Sequence, residues 1–410
     1  MRKISILGGG QSGLQIGFGL LRAGYDVTVT TNRTAEEVRD GRVLSSQCMF
    51  HTALQNERNI GINDWEDACP PVEGIEFNIV GENGDRALHW AHRLDHYAQS
   101  VDQRVKIPGW MRRFEREGGK LVIADAGIDE LDNMARESDL VLVASGKGEI
   151  GRLFERDDEK SDFDKPMRAL ALSYVNNMTP RPDHSAVCFN VIPGVGEYFV
   201  FPALTTTGPC EIMVMEGIVG GPMDTVWQDV KTPADHLAAS KWILETYIPW
   251  EAERCRKIEL TDPNGILAGR FPPTIRKPVA RLPSGRTVMG VADTVVLNDP
   301  LTGQGSNNAS KCARIVTESI LQRGARAFDE EWMQATFDRY WDYARWVVKW
   351  TSAFLVEPQE PIPSILGAAQ EMPELARIIA NGFDNPPDFF PWLVDAVAAQ
   401  MKLKDLSRAA

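Results

Sequence analysis

Three glycines at a set spacing, Gly8-x-Gly10-x-x-Gly13, carry the most readable chemistry in this sequence. An apolar run, Ile4 to Leu7, precedes them and reads as a buried parallel strand. A stretch of helical character, Leu14 to Leu21, follows. In such a strand–turn–helix, Gly8 permits the tight turn, Gly10 lets backbone approach a pyrophosphate and Gly13 lets helix and strand pack closely. The helix start, with Gln11 and Ser12 in the turn, presents unpaired N–H groups and a partial positive charge to phosphate. A dinucleotide site is therefore expected at the opening of the chain.

Other residues extend that site or qualify it. The second strand, within Gly24 to Arg33, ends at Thr31, or at Asn32 if the register slips, where dinucleotide folds usually carry a ribose-binding acid. A hydroxyl holds a ribose more weakly than a carboxylate, which argues against tight nicotinamide-dinucleotide binding. Arg42 is a candidate phosphate partner. A second formal G-x-G-x-x-G, Gly146 to Gly151, follows the strand Asp139–Val143, but the acidic, Pro-containing loop behind it (Glu155 to Pro166) lacks a crossover helix. It reads as a strand-end turn beneath the same cofactor. His89, His92 and His96 have no obvious fourth ligand nearby and read as surface or packing residues.

The elements that must position these residues follow from composition and periodicity. A chain of 410 residues suggests about two or three structural units. With 43% apolar and 25% charged residues it is of ordinary globular composition. A net charge of −13 argues against nucleic-acid or anionic-membrane partners. Six scattered cysteines with no C-x-x-C argue against zinc and disulfides. The opening runs straight into a strand, leaving no room for a signal peptide, and no apolar run approaches a bilayer span, so a cytoplasmic protein is expected. A hairpin is expected over 73–90, and a helix from about Val101 to Glu117. Four β-rich runs follow (Arg168–Val175, Ser185–Ile192, Tyr198–Thr205, Glu211–Ile218), then a helix from about Pro233 to Ile248. The four runs suit a sheet walling a substrate chamber. The tail, 329–410, reads as helices whose tryptophans (Trp332, Trp341, Trp346, Trp350, Trp392) belong to a core.

Near the end of the nucleotide domain, Gly290-x-x-Asp293 closes a strand. The stretch Asp299-Pro300-Leu301-Thr302-Gly303-Gln304-Gly305-Ser306-Asn307-Asn308-Ala309-Ser310 then enters a helix. Paired with the opening glycine loop, it resembles the flavoprotein monooxygenases of the para-hydroxybenzoate hydroxylase fold, and within them the two-component styrene and indole monooxygenases. The resemblance implies an α/β chain: an FAD-binding Rossmann-like domain (1–72, 98–165, 270–328), an inserted β-sheet substrate domain (73–97, 166–269) and a helical C-terminus (329–410). It implies that Asp293 holds the ribityl chain, and that Pro300, Gly303, Gln304, Gly305, Ser306, Asn307 and Asn308 lie along the isoalloxazine. A helix start there favours negative charge on the ring. Arg104 is carried over as a further cofactor contact.

Where the styrene branch tends to carry Asn, Val and His, this chain has Ser45, Gln47 and Met49. With Val72, Ile75 and Ala98 these residues side with the indole branch, so Ser45, Ser46, Gln47, Met49, Val72, Ile75 and Ala98 are the expected pocket residues. The resemblance further implies FAD delivered reduced by a separate NADH-dependent flavin reductase, a C4a-hydroperoxyflavin as oxygen donor, and a small aromatic alkene and O2 as co-substrates; it admits a homodimer. Rival readings are a styrene monooxygenase, a single-component NAD(P)H-dependent hydroxylase and a non-catalytic flavin-fold binding protein. A flavin-dependent halogenase shares the fold, but its W-x-W-x-I-P stretch is nowhere in the chain.

Overall fold

A computed structural model describes residues 1–146 and 148–409. Its organising layer is a six-stranded sheet in the order Val279–Arg281, Thr287–Gly290, Leu140–Val143, Lys3–Leu7, Asp26–Thr31, Lys120–Ile123. All neighbours run parallel except the edge pair Val279–Arg281 and Thr287–Gly290. The central strands are near-continuous apolar runs because helices cover both faces; Ile4, Ile6, Val29, Leu142 and Val143 are buried. The helix Ile128–Glu137, which the sequence reading passed over, supplies one crossover and buries Leu131 and Ala135. Its apolar positions, Ile128, Leu131, Met134 and Ala135, keep a helical period between the acids.

The second layer is an eight-stranded mixed sheet. Its path runs Glu259–Leu260, Arg168–Asn176, Gly208–Ile218, Gly196–Thr205, Ala186–Ile192, Pro71–Val80, Arg86–Gln99, with Ile266–Gly269 also on Arg168–Asn176. The expected hairpin is present and longer, reaching back to Pro71 and on to Gln99 around Gly81–Gly84. Only its Pro71–Val80 arm runs parallel to a neighbour, Ala186–Ile192. Of the three histidines, His89 bonds Asn78, His92 bonds the carbonyl of Arg93 and His96 stacks on His51.

The tail is helical, as expected, with Glu330–Leu355, Ile362–Glu371, Pro373–Gly382 and Ala396–Ala409. Trp332, Trp350 and Trp392 are buried, while Trp341 and Trp346 are half-buried. Pro373–Gly382 lies against Arg86–Gln99, where Arg377 pairs with Asp95 at 2.8 Å. After the strand Leu140–Val143 the second glycine motif forms only a five-residue helix, Gly148–Arg152. Lys147 within that motif lies outside the described residues. All six cysteines are buried and free. No helix among the described residues is long and apolar enough to cross a membrane.

Candidate functional site

The opening loop does what its glycines permit. Gly8 has φ +121°, and its N–H donates to the carbonyl of Thr30 at 2.8 Å. A Cβ on Gly13 would stand 1.9 Å from the carbonyl oxygen of Gly8, so only glycine lets this helix begin there. A Cβ on Gly10 would meet nothing within 4 Å. The helix Gln11–Arg22 starts at Gly10 with no side-chain cap and no acid in its first turn, leaving its leading N–H groups to the outside. Thr31 closes the second strand against Gly9. Arg42 is exposed in the segment after the helix Ala35–Arg39, and Asp293 is exposed in the short turn Ala292–Thr294, beside Gly146.

A second helix start stands beside the first. Gly305–Arg323 also begins without a cap or a first-turn acid, after Gly303 in the left-handed region at φ +66°. Cβ atoms on Gly303 and Gly305 would meet nothing within 4 Å. Gln11 donates to the carbonyl of Ser306 at 3.1 Å and accepts from Gln103 at 3.2 Å, which joins the two starts. Both polar atoms of the Asn308 amide, and Oε1 of Gln304, are buried without a partner. Two uncapped helix starts, three open glycines and orphaned amide atoms on the second loop suit a large anionic ligand with an amide-rich ring. The residues present therefore fit a flavin dinucleotide.

Next to the second loop is an apolar chamber lined by Ser46, Cys48, Phe50, Val187, Phe189, Phe199, Phe201, Val214, Pro300, Thr302, Gly303 and Phe383. Its sheet wall follows from strand register. Phe189 pairs with Phe199, and Phe199 with Val214, so these side chains share one face. Phe383 comes from the tail and packs on Phe189 and on Trp350. Burial pushes the Cys48 thiol well up, so it stays protonated. The lining side chains offer no acid–base dyad.

The segment Ser45–Phe50 alternates, and the alternation sorts the expected pocket residues. Ser46, Cys48 and Phe50 face the chamber, while Ser45, Gln47 and Met49 are absent from its lining. Ser45 and Gln47 bond each other, and Gln47 donates to the hydroxyl of buried Tyr174 at 3.3 Å. Met49 accepts from Gln11 at 3.4 Å and Lys106 at 3.2 Å, which places it under the junction of the helix starts. Asn307 clamps this segment, donating to the carbonyl of Cys48 and accepting from the N–H of Phe50, both at 2.9 Å. Val72 and Ala98 pair with each other beside the Met49–Gln99 bridge, and Ile75 pairs with Val187. These three are fully buried in the same core as the chamber wall but do not line the chamber.

Arg104 is engaged within the protein. Its guanidinium is spent on Asp102 (2.9 Å), Asp262 (2.9 and 3.0 Å) and the Thr205 hydroxyl (3.1 Å), and it is 2% exposed. It ties a helix to the second sheet. Sequence reasoning missed Val187, Phe189, Phe199, Phe201 and Val214, although their i, i+2 spacing within the β-rich runs was visible. For Phe383, 80 residues beyond the Gly303 loop, no local signal exists.

Residues 146–254 match the family model described as styrene monooxygenase A putative substrate binding domain. Over 397 residues, 94% of this chain and 93% of the relative, the sequence is 30% identical to the styrene monooxygenase StyA of Pseudomonas fluorescens. The StyA of a Pseudomonas sp is similar to the same extent. Among solved structures, the flavin-dependent brominase Bmp2 matches with a TM-score of 0.72 at 14% identity, covering 100% of both chains. A flavoprotein/dehydrogenase from Cytophaga hutchinsonii matches with a TM-score of 0.68 at 11% identity, covering 99% of both. Those two share the fold. The near full-length likeness to StyA, on a chain with two glycine-rich helix starts opening beside an apolar chamber, carries the stronger conclusion: the chain belongs to the StyA family, the FAD-dependent oxygenase subunits of two-component flavin monooxygenases.

Proposed function

We propose that this oxygenase epoxidises the C2=C3 bond of indole, leading to indoxyl and indigo, with styrene-type aryl alkenes as further substrates. The observation that carries the proposal is the chamber itself. It is walled by phenylalanines, it has no acid–base dyad, and it touches the Pro300–Gly303 loop. Such a space holds a flat aromatic alkene and keeps water out, which is the protein's share of the work when a cofactor carries the hard chemistry.

FAD would be held by the Gly8–Gly13 loop and the N–H groups of Gln11 and Ser12, by Thr31 and Arg42 at the adenosine end, by Asp293 at the ribityl chain, and by the loop from Pro300 to Asn308. Bound in its reduced form it supplies the activated oxygen atom. The reduced flavin would come from an NADH-dependent flavin reductase, since one dinucleotide loop is fitted among the described residues and the second glycine motif carries a five-residue helix. A single-component hydroxylase predicts instead that NADPH alone reduces the bound flavin.

Asp293→Ala should weaken FAD binding at least about tenfold, read by fluorescence titration. Unchanged affinity would show the ribityl contact to lie elsewhere. The styrene reading draws support from the StyA relatives, and Gln47→Val with Met49→His tests the choice. Both residues sit behind the wall that carries Ser46, Cys48 and Phe50, so they would act by shifting it. The ratio of kcat/KM for indole over styrene should fall by about tenfold. An unchanged ratio removes both residues as determinants. The direct assay mixes the protein with FAD, NADH, any flavin reductase and indole, and looks for blue pigment.

A further inference from the structure

The chamber wall passes directly into acids. Along Gly196–Thr205 the side chains of Phe201 and Phe199 are followed on the same face by Glu197; along Gly208–Ile218, Val214 is followed by Glu216. Glu197 and Glu216 are register partners, as are Phe199 and Val214. Asp299, directly before the chamber-lining Pro300, completes the group. Glu197 is engaged with Arg168 through two bonds of 2.8 and 2.9 Å, and Arg168 also donates to the carbonyls of Phe354 and Leu355.

Glu216 differs from its neighbours. It is 0% exposed, and no N–H or hydroxyl reaches either of its carboxylate oxygens. It meets Asp299, itself an acceptor that takes the N–H of Leu301 at 3.1 Å. Two carboxyls that face each other in a dry interior form a hydrogen bond only when one of them holds a proton. The charged groups facing them are Arg168 and Glu197, one cation among three acids. Burial, and then the neighbouring Asp299, holds Glu216 protonated well above the usual range; burial pushes Asp299 up to about 6. Asp299 also lines a separate, shallow pocket on the outer side, with Lys160, Asp162, Thr351 and Leu355. Lys160 is paired there with Asp157.

We propose that Asp299 and Glu216 form a proton relay from the outer pocket to the chamber, delivering the proton that each oxygenation consumes. The inference rests on the monooxygenase reading. Reduced flavin anion, O2, substrate and one proton give oxidised flavin, oxygenated substrate and water. The side chains that line the chamber include no acid to give that proton. Glu216 gives its proton toward the chamber, takes one from Asp299, and Asp299 is recharged at the outer pocket.

Glu216→Gln keeps the shape and removes the exchangeable proton. The first readout uses the protein without flavin. Because the pair titrates higher folded than unfolded, the folded state binds more protons between about pH 4 and the pair's own range. The pair's contribution to stability is therefore fully present below about pH 4 and is lost as pH rises through about 6 and above. The thermal midpoint of E216Q should decline less over that window. The second readout is single-turnover oxygenation with supplied reduced FAD. E216Q should bind FAD normally but oxygenate about a hundredfold more slowly, without the wild-type pH dependence and with more hydrogen peroxide released. Asp299→Asn, which cuts the relay at its outer end, should show the same loss and stands in if E216Q does not fold.

Parallel thermal profiles for E216Q and wild type would overturn the shared proton. An unchanged oxygenation rate and pH profile in either variant would overturn the relay. Wild-type protein that forms no oxygenated product sinks the monooxygenase reading instead, and the flavin-free thermal result distinguishes that failure.

Discussion

Gly13→Ala should abolish FAD binding and cost several kcal/mol of stability, while Gly10→Ala should cost about 1 kcal/mol at most and still weaken FAD at least about tenfold. Both residues belong to one motif, and the structure separates their roles. Inside a helix, glycine to alanine ordinarily stabilises by about 1 kcal/mol. At Gly13 the new methyl would lie 1.9 Å from the carbonyl oxygen of Gly8, a backbone atom with no freedom to move without opening the turn. The sign should therefore reverse. At Gly10 the backbone has φ −85° and ψ −169°, open to alanine, and the methyl meets no protein atom within 4 Å. Whatever Gly10→Ala costs in affinity comes from the space that a phosphate would occupy. Thermal unfolding with and without FAD, beside a fluorescence titration, measures both. A Gly10→Ala protein that binds FAD as the wild type does would place the pyrophosphate elsewhere.

Arg168→Met should destabilise the protein by about 3–5 kcal/mol near neutral pH, and by less in acid. The arginine is the cation facing Glu197, Glu216 and Asp299, all buried, and it also fastens the tail through the carbonyls of Phe354 and Leu355. Methionine fills similar volume but leaves Glu197 without its partner and two carbonyls without a donor. Protonation of the acids relieves the first penalty, so the loss should shrink as pH falls from about 8 to 5. Chemical denaturation at both values checks it. An equal loss at both would assign the effect to the tail carbonyls rather than to the acids.

What could be read in the sequence was what depends on local geometry. The opening strand, turn and helix declare themselves because each glycine answers a backbone demand within a few residues. The four chamber strands begin and end within three residues of expectation, since Gly, Pro and Asn turns bound them. Contacts between distant segments could not be read this way. The resemblance made Ser45, Gln47 and Met49 pocket residues, yet they do not line the chamber, because the face each presents is decided by the Asn307 clamp and the Met49–Gln99 bridge. Arg104 is indistinguishable in sequence from a phosphate-binding arginine; only the approach of Asp262 and Thr205 engages it. Glu216 looks like any acid in a strand until Asp299, 83 residues on, is folded against it.

The most direct test of the account supplies the purified protein with FAD that has been reduced beforehand, adds aerated buffer, and offers indole and styrene in turn. Oxygenated product is expected from both, with blue pigment from indole, in yield exceeding the free hydrogen peroxide. Peroxide alone, with no oxygenated product from any aryl alkene, would contradict it.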